Sequence, residues 1–144
     1  MVTIREIVDD DYNRGYFELM YEFSNYEKNV SKEEFETYIR NRDRVQIHVL
    51  EDNTSGRIIG IGTIFKIEKL HNNPIGQIED VIITEAYRKD GLGSKIIERL
   101  AEIGINEFNC YKIVLNCLEK NIGFYEKCGF SLTGVQMRKN EFKK

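Results

Sequence analysis

The sequence predicts a single α/β domain in which helices flank a central mixed β-sheet. The chain has 144 residues, the length of one ordinary domain. Apolar residues make up 41% and charged residues 31% of it, close to the averages of proteins that bury a core. Strand-like and helix-like patterns alternate along the chain, and a glycine-rich turn joins one strand to one helix. These observations favour one domain that covers residues 1–144.

The first half of the chain has patterns for three strands and two helices. The predicted elements are, in order, strand 3–8, helix 12–26, helix 31–42, strand 45–51 and strand 57–67. Ser31 and Glu34 form a capping-box pattern, which begins the second helix. Residues 52–56 have the composition of a hairpin turn between the last two strands.

The second half of the chain alternates strands with helices. The predicted elements are strand 75–84, a helix that begins at Leu92, strand 112–117, helix 121–128 and strand 132–137. The helix at Leu92 repeats apolar residues on one face through Ile96, Leu100 and Ile103. Because the strands are separated by helices at some points and by a hairpin at another, the sheet is expected to be mixed.

Charge and hydropathy exclude several classes of partner. The formal net charge is -3, whereas a nucleic-acid-binding protein normally has a basic face. The apolar runs are too short to span a bilayer. Residues 1–11 contain three consecutive acidic residues and lack a hydrophobic signal core. We therefore expect no nucleic-acid or membrane partner, and a location in the cytoplasm or, by the same default, the nucleus.

The cysteines and histidines give little support for a disulfide or a metal. The three cysteines, Cys110, Cys117 and Cys128, are odd in number and contain no CxxC pair. This usage favours a reducing compartment. His48 and His71 lie far from each other and from the cysteines in sequence, so no metal is expected.

The strongest local motif is Arg88-x-x-Gly91-x-Gly93, which lies between a strand and a helix. Glycines allow backbone N–H groups to turn toward an anion, and the N-terminus of a helix adds partial positive charge. The motif therefore fits a pyrophosphate, although it is neither a P-loop nor a GxGxxG fingerprint. The alternative is a glycine-rich turn that merely starts a helix. The six residues alone leave both interpretations open.

Two carboxylates, Glu79 and Asp80, interrupt the most apolar strand. Because adjacent strand residues face opposite ways, one of the two is expected to meet the core or a cleft. Burial of an unpaired charge is costly, and a cationic amine substrate is a suitable partner. The alternative is that one carboxylate is solvated and the other pairs with a lysine.

The C-terminal part of the chain resembles the GNAT acetyltransferase superfamily. The resemblance depends on strand 112–117 and segment 121–130, placed after the Arg88 motif. Segments 76–81 and 124–130 narrow it to the glucosamine-6-phosphate N-acetyltransferases, and the likeness extends over almost the whole chain. It implies a homodimeric enzyme with sites near its interface. It also implies direct attack by the amine of glucosamine 6-phosphate on acetyl-CoA in a ternary complex, with no acetyl-enzyme.

The resemblance also implies a binding site for acetyl-CoA. Strands 78–84 and 112–117 are expected to splay apart around the pantetheine arm, while amides of the loop 88–93 hold the pyrophosphate. The residues expected to contact acetyl-CoA are Val81, Ile82, Ile83, Arg88, Lys89, Asp90, Gly91, Leu92, Gly93, Asn121 and Tyr125. The alternatives are a plain core strand for 81–83 and a helix N-cap for Asn121.

Three residues are expected to act in catalysis. The resemblance assigns Tyr125 as the acid that protonates the thiolate of CoA, and a phenol pKa near ~10 suits that role. A backbone N–H near Ile82 is expected to donate to the thioester oxygen. Asn116 stands where the family has an acidic residue, so Glu79, directly or through water, becomes the expected base. The alternative for Tyr125 is a core tyrosine. Cys117 has no histidine near it in sequence and is not expected to be a nucleophile.

The amino-sugar phosphate needs both a carboxylate environment and cations. The residues expected to contact it are Ser24, Lys69, His71, Glu79, Asp80, Asn116, Cys117 and Arg138. The loop 69–76 is short for the family, and the spacing of Arg138 departs from its pattern, so Lys139 is a substitute. Each cation alone is also compatible with a solvated surface position.

Two other functions remain compatible with the sequence. One is a GNAT enzyme for another amine, such as a polyamine or a protein N-terminus. The other is a CoA-binding module without catalysis, and the presence of Tyr125 argues against it.

Overall fold

Five strands form one sheet in the computed structural model, which describes residues 1–24, 29–88 and 91–140, apart from the side chain of Ser24. The strands, in spatial and chain order, are β1 (Val2–Glu6), β2 (Val45–Asp52), β3 (Ile58–Ile67), β4 (Ile75–Ile83) and β5 (Lys112–Leu115). The pairs β1–β2, β2–β3 and β3–β4 are antiparallel, and the pair β4–β5 is parallel. This arrangement confirms the predicted mixed sheet, and most of its strand pairs are antiparallel.

In the described ranges, four α-helices flank the sheet. They are α1 (Tyr16–Ser24), α2 (Lys32–Ile39), α3 (Leu92–Asn106) and α4 (Ile122–Lys127). The predicted helix 12–26 is split, because Gly15 has φ +102 and separates α1 from a 3₁₀ helix at Asp9–Asn13. The predicted capping box at Ser31 is confirmed, since its hydroxyl accepts from the Glu34 amide at 3.1 Å.

Each face of the sheet has its own hydrophobic core. Against α3 the core is mostly aliphatic and includes Ile96 and Leu100, both fully buried. Against α1 and α2 it includes Phe35 and a set of edge-to-face aromatic rings. Glycines let α3 approach closely: a Cβ on Gly62 of β3 would lie 2.8 Å from a methyl carbon of Leu100. The sheet and α3 thus form a closely packed frame, and the rest of the chain is attached to it.

His48 of β2 is a buried histidine within this frame. Its Nε2 lies 3.3 Å from the side-chain oxygen of Gln46, and its Nδ1 has no hydrogen-bond partner among the described residues. Burial lowers the pKa of His48 to about 4, with smaller influences from nearby charges. The charged groups that affect it are Glu6, Arg42, Arg99 and Glu107. His48 is therefore neutral in the folded protein at physiological pH.

The predicted final strand at 132–137 is wrong. The described segment 131–140 has no strand or helix, and all of its residues are exposed. Leu132, Val135 and Met137 are 69%, 89% and 90% exposed. An apolar pattern forms a strand only where a sheet edge supplies hydrogen bonds, and β5 does not pair with this segment.

None of the helices in the described ranges is long and apolar enough to cross a membrane.

Candidate active site

The parallel pair β4–β5 opens partway along its length. The two strands pair from Ile75 with Lys112 to Ile78 with Leu115, where β5 ends. β4 continues to Ile83 and stays paired with β3 on its other side. From Glu79 onward, one backbone edge of β4 therefore has no strand partner among the described residues. Peptide groups at such an edge are free to bind an extended ligand.

A β-bulge in β4 lies where the opening begins. Ile61 of β3 pairs with Ile82, and Thr63 pairs with Glu79, so two residues of β4 face one residue of β3. The first of the two, Asp80, has φ 54, a left-handed conformation that is unusual for a residue other than glycine. Bulges bend a strand and increase its twist. The bulge thus accounts for the departure of β4 from β5.

The bulge also changes the surroundings of the two carboxylates. The alternation that the sequence pattern assumed is broken at Asp80, so adjacent positions cannot be assigned to opposite faces. Asp80 lines an open cavity of about 890 Å³ between α1, α2 and the sheet. Burial raises the pKa of Asp80 above its usual range. Glu79 and Asp80 are both exposed at the surface, so the burial of Asp80 is only partial.

The cavity beside Asp80 has aromatic walls. Its aromatic lining residues are Tyr16, Phe17, Phe35, Tyr38 and Phe65. Burial, with a smaller effect from the charge of Asp80, raises the pKa of Tyr38. Sequence patterns do not predict a role for Tyr38, because one aromatic residue on an amphipathic helix carries no distinguishing signal.

The loop after β4 leads directly into α3. Arg88 follows a 3₁₀ helix at Glu85–Tyr87, and its Nε donates to the carbonyl oxygen of Ile83 at 2.9 Å. Gly91 is the N-cap residue of α3, with φ +71 and open space around the position of a Cβ. No side chain caps this end of α3 among the described residues.

Two other predicted residues of the loop pack against the interior. Leu92 is buried in the core beside α3. A Cβ on Gly93 would lie 3.1 Å from the ring of Phe124, so this glycine allows α4 to approach α3. Lys89 and Asp90, which are also predicted contacts of acetyl-CoA, lie outside the described residues.

Tyr125 of α4 lines a second open cavity, of about 710 Å³, between β5, α4 and the C-terminal segment. Asn116 and Cys117, which follow β5, lie in the same walls. Tyr125 is half-buried and meets the rings of Phe124 and Phe130 edge-on, at centroid distances of 4.9 and 6.1 Å. Burial is the main cause that raises its pKa, and Cys117 and Cys128 add to the effect. The structure thus brings Tyr125, Asn116 and Cys117 together.

Asn121 is the N-cap residue of α4, but its side chain makes no capping hydrogen bond in the described part of the chain. It is exposed at the start of the helix that carries Tyr125. Its amide is therefore available to a ligand rather than committed to the helix.

The predicted phosphate contacts are not brought together in one chain. Lys69 and His71 lie in the exposed loop between β3 and β4, and Arg138 lies in the exposed C-terminal segment. None of these three lines either cavity. Ser24 ends α1, and its side chain lies outside the described part of the structure. The described residues also contain no group of three or more metal-ligating side chains.

The strand β4, the uncapped N-terminus of α3 and the parallel strand β5 together form the arrangement of a GNAT-type fold. Residues 2–130 match the model of the "Acetyltransferase (GNAT) family". The chain belongs to this family, whose acetyltransferases use acetyl-CoA.

The chain is also similar to particular members of this family and to solved structures. The chain is 36% identical over 140 residues to "Glucosamine 6-phosphate N-acetyltransferase 1" of Dictyostelium discoideum, covering 94% of this chain and 88% of the relative. The crystal structure of glucosamine-6-phosphate N-acetyltransferase from Arabidopsis thaliana is 33% identical, with a TM-score of 0.87 and coverage of 97% and 98% of the two chains. The structure of AAC(6')-Iy with a CoA-containing bisubstrate analogue is similar in fold, with a TM-score of 0.77 at 15% identity and 99% coverage of both chains.

Proposed function

We propose that this enzyme transfers the acetyl group of acetyl-CoA to the amine of D-glucosamine 6-phosphate, a step toward UDP-N-acetylglucosamine. The products are N-acetyl-D-glucosamine 6-phosphate and CoA. The observation that carries the substrate assignment is the 36% identity over 94% of this chain to a relative named for that reaction. A relative from Arabidopsis thaliana with the same activity in its name is 34% identical over 94% of this chain.

Acetyl-CoA supplies an activated thioester, and three features of the chain fit it. The free edge of β4 at Val81–Ile83 offers peptide groups to the pantetheine arm. The uncapped N-terminus of α3 at Gly91 offers N–H groups to the pyrophosphate. Asn121, whose side chain is uncommitted, would hold the same ligand beside α4. Peptide N–H groups near Ile82 would stabilise the oxyanion that develops on the thioester carbonyl.

Tyr125 is the acid in this proposal. The departing thiolate needs a proton, and a phenol whose pKa is raised by burial keeps that proton at neutral pH. The position of Tyr125 in one cavity with Asn116 supports the assignment, because the amine and the thiolate are the two ends of the same reaction.

Asn116 and Glu79 act on the amine of the amino sugar. An amide cannot accept a proton at neutral pH, so Asn116 orients the amine by hydrogen bonds. Glu79, directly or through water, receives the proton that the attacking amine loses. The Asp80 carboxylate contributes negative charge at the same end of β4, which favours binding of a cationic amino sugar. Cys117 borders the substrate and forms no acetyl-enzyme, because the amine attacks the thioester directly.

We infer that the enzyme is a homodimer whose sites lie near its interface. Three apolar side chains of segment 131–140 are largely exposed, and contact with a second copy would remove them from water. A second copy would also bring a second Arg138 to the site, where it would join Lys69, His71 and Ser24 around the sugar phosphate. Analytical ultracentrifugation tests this inference. We expect a mass of two chains for the wild type and dissociation in the variant Val135→Asp.

The cytoplasm is the compartment that suits this reaction. All three cysteines are free thiols, which is consistent with a reducing environment.

Release of CoA in the presence of candidate amines tests the proposed function. We expect turnover with glucosamine 6-phosphate, far less with glucosamine, and none with glucose 6-phosphate, which lacks the amine. A polyamine and a peptide with a free N-terminus test the two other acceptor classes. A higher kcat/KM with the polyamine or the peptide than with glucosamine 6-phosphate would identify that compound's class as the acceptor instead of the sugar phosphate. CoA binding without turnover on any of these compounds would indicate a binding module.

A further inference from the structure

The cavity beside Asp80 combines aromatic walls with acidic side chains. It has a volume of about 890 Å³ and lies between α1, α2 and the sheet, and we call it the α1–α2 cavity. Besides the five aromatic side chains of its walls, Met20, Ile39 and Ile47 contribute apolar surface. A mostly apolar wall with a few polar groups is typical of a site for a small organic molecule.

The charged side chains that line the α1–α2 cavity in the described part of the chain are all acidic. Glu33 and Glu34 belong to the first turn of α2, and Asp80 belongs to the bulge of β4. Carboxylates attract cations and repel phosphate. The cavity therefore favours a ligand that has a cationic group on an apolar body.

The aromatic wall is already packed in the structure. The ring of Tyr16 meets those of Phe17 and Phe35 edge-on, at centroid distances of 5.0 and 5.8 Å. The hydroxyl of Tyr12 donates to the carbonyl oxygen of Val30 at 2.5 Å and fixes the chain just before α2. Because these side chains are held in place before a ligand enters, binding costs little further ordering of the wall.

Tyr38 is the most exposed aromatic side chain of this wall. It is 48% exposed, whereas Phe35, one turn earlier on α2, is 4% exposed. The charge of Asp80 acts on the Tyr38 phenol, so the two side chains face the same space. An ammonium group at this place is attracted both by the carboxylate and by the face of the ring.

Asp80 also places the α1–α2 cavity next to the expected position of the acetyl donor. Asp80 lies where β4 leaves β5, immediately before the free edge Val81–Ile83. That edge is the part of β4 that we assign to the pantetheine arm. An amine at the Asp80 carboxylate would therefore lie beside the peptide groups that hold the thioester.

We propose that the enzyme has a second class of acceptor, a primary amine on an aromatic body, which binds in the α1–α2 cavity. The aromatic body packs against Tyr38, and the amine lies at Asp80. 2-Phenylethylamine is a probe of this class. The inference rests on the proposed function only in that acetyl-CoA is the donor.

The reaction with this acceptor follows the same chemistry as the reaction with the amino sugar. The bound ammonium loses one proton to water, and the neutral nitrogen attacks the thioester carbon. A C–N bond forms and the C–S bond breaks. Glu79, directly or through water, takes the second proton from the nitrogen, and the departing thiolate takes the proton of Tyr125. The products are the N-acetylated amine and CoA.

Release of CoA with matched amines tests the inference. 2-Phenylethylamine and ethylamine share the primary amine, but only the former has a ring to bury. We expect its kcat/KM to be at least about tenfold higher, the scale of burying an aromatic side chain. 2-Phenylethanol, which lacks the amine, should give no turnover. Mass spectrometry identifies the N-acetylated product.

Substitution of Tyr38 tests the position of the ring. Tyr38→Ala should raise the KM for 2-phenylethylamine about three- to tenfold, the scale of an aromatic pair, and Tyr38→Phe should keep the wild-type KM. Tyr111→Ala is the matched control, because Tyr111 is also 48% exposed but lines neither cavity. Ethylamine should have the same kcat/KM in the wild type and in all three variants.

Turnover with glucosamine 6-phosphate, measured in parallel, separates this inference from the proposed function. The inference is overturned if 2-phenylethylamine is no better an acceptor than ethylamine, or if Tyr38→Ala and Tyr111→Ala have equal KM values for it. Activity with the sugar phosphate would then leave the proposed function in place. Turnover of the aromatic amine without turnover of the sugar phosphate would support the cavity assignment and remove the proposed acceptor.

Discussion

Two regions of the molecule differ in how completely their side chains are covered. In the closed region, formed by β1–β4 and α3, Ile96 and Leu100 are fully buried and each strand pairs with its neighbour. In the open region, formed by the second half of β4, α4 and segment 131–140, Tyr125 is half-buried and Leu132 is exposed. The difference indicates that the closed region holds most of the folding free energy. The open region has exposed surface at which ligands can bind.

The largest effect is expected from a cavity in the closed region. Leu100→Ala removes a fully buried side chain and should lower the free energy of unfolding by about 2–5 kcal/mol. Ile105→Ala is the matched control on α3, where the side chain is 56% exposed, and should change it by less than about 0.5 kcal/mol. Urea unfolding measures both. Equal decreases in the free energy of unfolding for the two variants would show that burial does not determine how much each side chain contributes to stability.

His48 makes the closed region sensitive to acid. Its folded pKa of about 4 lies below the ordinary value of 6.5, so the unfolded chain binds the proton more readily. Its contribution to stability is complete above pH 6.5 and falls as the pH drops toward 4, by up to about 3 kcal/mol.

Urea unfolding at several pH values isolates this contribution. His48→Gln should lose stability less steeply between pH 6.5 and 4 than the wild type, whatever its stability at pH 7. His71→Gln, at an exposed position, should keep the wild-type slope. Parallel slopes for the wild type and His48→Gln would contradict the role of His48.

In the open region, the largest effect is expected at the hydroxyl of Tyr125. Tyr125→Phe should lower kcat by roughly 10²-fold, the usual scale of general acid catalysis, and leave CoA affinity and stability unchanged. Tyr111→Phe changes an exposed tyrosine outside both cavities and serves as the control. Steady-state kinetics with acetyl-CoA measures both variants, and a wild-type kcat in Tyr125→Phe would return Tyr125 to a packing role.

Gly93 lies where the two regions meet. Gly93→Ala places a Cβ 3.1 Å from the Phe124 ring and should raise the Kd of CoA about three- to tenfold through displacement of the start of α3. Gly123→Ala on α4 meets no atom within 4 Å and should bind CoA normally. Calorimetric titration compares the two alanine variants, and equal affinities would show that close packing at Gly93 is not needed for binding.

The smallest effect is expected at Asn116. Asn116→Asp introduces the acid that the resemblance leads us to expect at this position. With Glu79 as the base that we propose, it should change kcat/KM for glucosamine 6-phosphate by less than about tenfold. Glu79→Gln should lower kcat/KM by more than that and change the pH–rate profile. If Glu79→Gln keeps full activity and the same profile, the amine enters in its neutral form and the site has no side-chain base.

Sequence patterns by themselves predicted most of the helices and strands of the closed region. The apolar repeat of α3 reports local burial, which depends on residues a few positions apart. The alternating pattern of residues 45–51 predicted β2, although the structure buries both faces of that strand. The Ser31 capping box is equally local, and it was predicted correctly. The Arg88 motif predicted the loop at the start of α3, because its glycines mark a backbone requirement at Gly91 that few other residues meet.

Only the tertiary structure decided the arrangement of the open region. The bulge at Asp80 arises from the pairing of β4 with β3, and no local pattern reports that register. The contact of Arg88 with Phe23 joins residues far apart in sequence. Segment 132–137 has the pattern of a strand but pairs with no strand among the described residues. Local propensity specifies which residues can form a strand, and only a partner edge supplies the hydrogen bonds that make one.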